Sequence, residues 1–74
     1  MIYDQLSPRL QQFVDLLMGG HNRRSIGIAM NLKEPTLKRY LHIITLHYGI
    51  PPKGAFVPSV RLVYLRAKEL GLIQ

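Results

Sequence analysis

Cysteine is absent from the 74 residues, which excludes disulfide staples and thiolate metal sites. Acids are scarce: four Asp and Glu stand against ten Lys and Arg, a formal net charge of +6. No run approaches the roughly 18 consecutive apolar residues of a membrane span. The opening Met1-Ile2-Tyr3-Asp4 carries an acid where a secretory signal carries basic residues, and no apolar stretch follows it. A cytoplasmic protein with no membrane partner is expected. Catalytic patterns are also missing. His42 and His47 are five apart, a spacing that does not align two ligands on one helix face, and His21 lies on another element. Ser7, Ser25 and Ser59 all fall at helix starts, where a hydroxyl caps a backbone amide. Without a strand there is no glycine-rich phosphate loop of the strand–turn–helix kind. The expectation is a non-enzyme with no metal and no cofactor.

What is present is enough apolar character for a folded core, 47% of residues, and a basic surplus that suits a polyanionic partner. The surplus is concentrated. Arg23, Arg24, Lys33, Lys38 and Arg39 fall between positions 21 and 40, with Glu34 the one acid there.

Periodicity and caps predict an all-α chain of four helices, over about 8–18, 23–30, 35–48 and 60–70. Ser7-Pro8 reads as an N-cap followed by proline in the first turn, and Leu10, Phe13, Val14 and Leu17 then repeat on one face. Gly19-Gly20 stops this helix. Asn22 caps a second helix of barely two turns, with Ile26, Ala29 and Met30 as its inward face. Asn31 tolerates the left-handed conformation of a tight turn, and Glu34-Pro35 opens the third helix. Leu37, Leu41, Ile44 and Tyr48 form that helix's core stripe, and Lys38, Arg39, His42 and Thr45 lie opposite. The stretch 50–58, with three prolines, reads as an irregular connector whose Phe56 tucks onto the core. Ser59 then caps the fourth helix, with Val60, Val63, Tyr64 and Ala67 as its stripe.

The turn between the second and third helices, Asn31-Leu32-Lys33, is short enough to force a steep crossing of the helix-turn-helix kind. Gly27 and Ala29 supply room for the crossing, and Leu32 and Leu37 plug it. In such a unit the second helix enters the major groove with its leading residues against base edges. Lys38, Arg39 and His42 are the candidate base contacts, since Arg and Lys suit guanine acceptors. Arg23, Arg24 and Lys33, with the hydroxyls of Thr36 and Tyr40, are the candidate phosphate contacts.

The residues Leu6-Ser7-Pro8-Arg9, Gly20, Ile26, Leu32-x-Glu34-x-Thr36-Leu37-Lys38, Ile44 and Gly49-Ile50 resemble the LuxR-type (GerE, NarL/FixJ) C-terminal DNA-binding domain, without a gap from Leu6 to Ile50. That resemblance implies a stand-alone helix-turn-helix domain over 1–74. It puts Lys38, Arg39 and His42 at bases, and Arg24, Thr36 and Tyr40 at phosphates, Tyr40 replacing the usual His. It also implies a dimer contact on the fourth helix, here Val60, Val63, Tyr64 and Ala67. Ile28 and Ile43 are apolar where the family is polar.

Two functions compete. The first is a small sequence-specific transcriptional regulator that binds double-stranded DNA as a homodimer. The second is a protein-interaction module on the same fold, a modulator or antagonist of a transcription regulator or RNA polymerase, acting through Ile28, Ile43 and the connector. A module resembling region four of a sigma factor is a variant of these with different partners.

Overall fold

The computed structural model describes residues 2–50 and 58–73. Phe56 and the connector it belongs to therefore lie outside the described residues, apart from the ends of the stretch.

Among the described residues four α-helices follow one another: α1 (Pro8–Met18), α2 (Arg23–Met30), α3 (Glu34–His47) and α4 (Pro58–Glu69). Their limits follow from local chemistry. Ser7 is extended and its hydroxyl accepts the Leu10 N–H at 3.4 Å, while Pro8 occupies the first turn, where a missing N–H leaves no bond unmade. Asn22 caps α2 reciprocally: its Oδ1 accepts the Ser25 N–H at 2.9 Å, and its own N–H donates to Ser25 Oγ at 3.0 Å. Asn31, at φ 56° and ψ 51°, turns the chain out of α2 in the left-handed conformation. Gly49, at φ 67°, does so after α3.

Every helix contributes a fully buried residue to one core: Phe13 and Val14 from α1, Ile26 from α2, Ile44 from α3 and Leu62 from α4. Leu6 and Ile50, just outside helices, complete it. Among the described residues the charged groups drawn toward the interior gather along one seam. There a 3₁₀ turn at Tyr3–Gln5, for which the sequence carried no expectation, packs against α1 and α4. Tyr3 donates its hydroxyl to Asp15 at 2.7 Å, and its ring lies 3.7 Å beneath the Arg66 guanidinium. Its N–H donates to Glu69 Oε2 at 3.4 Å, and Arg66 pairs with Glu69 at 3.8 Å.

Several expectations about faces are corrected. Ala29 is exposed, and Gly27 takes its place on the inner face of α2 because the following turn folds back onto that position. Thr45 is buried rather than outward, with its hydroxyl donating to the His42 carbonyl at 2.8 Å, a bond that lets a polar group sit inside. Ile43 packs against the core. Ser59 does not cap α4, which begins one residue earlier, at Pro58. The stripe expected on α4 is also rotated. Leu62 and Arg66 are buried, Val63 and Ala67 are half-buried, and Val60 and Tyr64 face solvent. The charged Arg66 turns inward because Tyr3 and Glu69 receive it.

Candidate nucleic-acid interface

The joint between α2 and α3 sets the geometry. Leu32 donates its N–H to the Gly27 carbonyl at 2.8 Å, drawing the turn back against α2. A Cβ on Gly27 would stand 3.0 Å from the Leu32 carbonyl oxygen and 3.1 Å from Leu37 Cδ1. The helices thus approach as closely as a glycine permits. Leu37 is buried beneath the turn and Leu32 half-buried, as a plug requires. Lys33 is extended, and its carbonyl accepts the N–H groups of Thr36 and Leu37, both at 3.0 Å, which starts α3.

With Leu37, Ile44 and Tyr48 turned into the core, the opposite face of the first half of α3 is left to solvent. Lys38, Arg39 and His42 are all exposed there, and so are Arg24 at the start of α2 and Lys33 in the turn. Arg23 is half-exposed and pairs with Glu34 at 3.2 Å, which ties the leading ends of α2 and α3 together. The one acid of this stretch is thereby engaged. Thr36 is only partly exposed. Tyr40 is half-buried, its ring edge-on to Phe13 at 6.4 Å and 73°, so packing against α1 fixes it.

One cation was not among the candidate contacts. Arg9 is exposed and reaches the Met30 carbonyl at 3.5 Å, placing positive charge at the C-terminus of α2, where the helix dipole is negative. Nothing local in the sequence joins positions 9 and 30, so only packing reveals the contact. Of the candidate apolar surface, Ile28 is 76% exposed, and Leu46 on α3 is also exposed.

The result is a ridge carrying cations and an imidazole, flanked by cations of α2 and the turn, with donors that suit phosphate oxygens and base acceptors. Among the described residues no group of three or more His, Asp or Glu side chains is placed to hold one metal ion. No described helix is long and apolar enough to cross a membrane. Compared with known proteins, the chain finds no significant match to a family model, a curated protein or a solved structure.

Proposed function

We propose that this chain is a small, cytoplasmic, sequence-specific DNA-binding regulator of transcription, with α3 as the helix that enters the major groove. The observation that carries the reading is the solvent-facing group Lys38, Arg39 and His42 on the leading half of α3, beside a closely crossed α2 whose first residues are Arg23 and Arg24. The LuxR-type resemblance of the segment from Leu6 to Ile50 supports it. Lys38, Arg39 and His42 meet base edges; Arg23, Arg24, Lys33, Thr36 and Tyr40 meet the backbone. Tyr40 does so from a half-buried position, with its ring packed edge-on to Phe13. One helix reads few base pairs, so the reading includes a second copy on a neighbouring half-site.

The test is selection from random duplexes at two salt concentrations. A recovered consensus is expected, with affinity falling at a log–log slope of about −4 to −5 for about five phosphate contacts. Absence of salt-dependent binding to any duplex would overturn the proposal. The competing reading, a modulator of a transcription regulator or RNA polymerase, draws on the exposure of Ile28. Capture of such a protein by a contact that survives high salt and is lost in Ile28→Asp would favour it.

A further inference from the structure

The two sides of α4 differ in chemistry. Inward, Leu62 enters the core while Arg66 and Glu69 close the seam with Tyr3. Outward, Tyr64 is 40% exposed and flanked by two cations, with Arg61 Cζ 5.4 Å and Lys68 Nζ 5.5 Å from the ring centroid. Arg61 and Lys68 are seven residues apart, about 10 Å along the helix axis. No acid of α4 offsets them, because Glu69 points to Arg66 and the Tyr3 N–H. Next to this row Val60 is 57% exposed and forms one wall of a cleft of ≈ 440 Å³. Leu17 and Val63 line its apolar side, and His21 and Arg23 its polar rim.

A second copy of the chain fits this face poorly. An antiparallel pairing of α4 with itself about Tyr64 sets Arg61 against Lys68 of the other copy, and a parallel one sets each cation against its equal; either way like charges meet. A DNA backbone fits poorly too, since it would lay phosphates over exposed Val60 and Tyr64 and leave apolar surface uncompensated. What complements the face is a helix with acids spaced like these cations and apolar side chains between them. We propose that α4 docks an acidic amphipathic segment of another protein, with two carboxylates seven residues apart on Arg61 and Lys68 and an apolar anchor entering the cleft beside Val60. The two cations that carry this site lie on a different helix from the base-reading ridge, and the cleft beside them shares only Arg23 with the proposed phosphate contacts.

The probe is a synthetic helical peptide with glutamates seven residues apart and leucine and phenylalanine between them, titrated into the full chain by fluorescence anisotropy. A scrambled peptide of identical composition is the control. The matched peptide is expected to bind at least about tenfold more tightly than the scramble, and less tightly as salt rises. Arg61→Gln with Lys68→Gln should abolish that preference while circular dichroism shows the helical fold retained, both side chains being exposed. Equal binding of the two peptides, or no binding of either, overturns the proposal. So does a wild-type dimer in sedimentation that Tyr64→Glu splits, which would assign the face to a second copy. Loss of duplex binding in the double charge variant comparable with that of Arg24→Ala would assign it to DNA instead.

Discussion

Leu32 and Gly27 hold each other by a backbone hydrogen bond of 2.8 Å, and the Leu32 carbonyl lies 3.0 Å from where a side chain on Gly27 would begin. This contact sets how closely α3 can approach α2. Glycine in a helix interior is normally a weakness of roughly 0.5–1 kcal/mol against alanine, so its use here reflects space rather than propensity.

Gly27→Ala is expected to leave stability nearly unchanged, because the helical gain offsets a small displacement of Leu32 and Leu37. Gly27→Val adds bulk that the joint cannot absorb and should cost about 2 kcal/mol. Thermal melting should show a drop of roughly 10 °C for a chain of this size. An unaltered midpoint for the valine variant would mean that the crossing is not set by this position.

Arg66 is buried, and among the described residues Glu69 and the Tyr3 ring receive its charge. Arg66→Ala leaves the part-buried Glu69 carboxylate without its cationic partner and should destabilise by about 3 kcal/mol in urea unfolding. Arg66→Lys should recover only part of this, since an ammonium cannot lie flat on Tyr3. Full recovery by lysine would show that charge alone, and not the stack, holds the seam.

Tyr48 is buried, and among the described residues no acceptor or donor meets its hydroxyl in full hydrogen-bond geometry, although the Glu69 carboxylate lies close to it. Burial first, and then the nearby Glu69 carboxylate, push its phenol well above the ordinary value of 10.0. The fold therefore favours the neutral form. The resulting stability is fully present below about pH 10 and is lost as pH rises beyond it. Burial and the Asp15 hydrogen bond raise Tyr3 in the same direction. Stability measured from pH 8 to 11.5 should fall steeply in the wild type and less steeply in Tyr48→Phe. Parallel curves would remove Tyr48 as the cause.

Within the proposed DNA reading, the ridge and its flanks should separate by readout. Lys38→Ala or Arg39→Ala is expected to relax base preference by about 1–3 kcal/mol at the contacted position. Arg24→Ala should weaken all duplexes alike and make the salt slope shallower by about 1. Competition binding with consensus and mismatched duplexes distinguishes the two. If all three variants lowered affinity without altering preference, the ridge would be a backbone contact only.

The first three helices were legible because their ends carry residues with few conformational options: Ser7-Pro8, Asn22 and Asn31. The exposure of Lys38, Arg39 and His42 was legible as well, since the helical period fixes the face opposite Leu37 and Ile44. Thr45 was misplaced because its bond to the His42 carbonyl hides the polarity that had argued for solvent. The fourth helix was rotated in the sequence reading for a related reason. A buried arginine looks like an outward residue until Tyr3, from the other end of the chain, is known to lie beneath it. Arg9 at the end of α2 is a third case of a partner supplied by distance in sequence.

The hydrogen bond from Tyr3 to Glu69 spans 66 positions, whereas a three-residue turn joins α2 to α3. Chain closure over such a separation carries far more entropy loss than the local hinge, so folding kinetics should divide along this line. The hinge is expected to assemble early, and the clasp between the ends to form after the rate-limiting step. Weakening the clasp then shortens the lifetime of the native state and leaves the folding rate almost untouched.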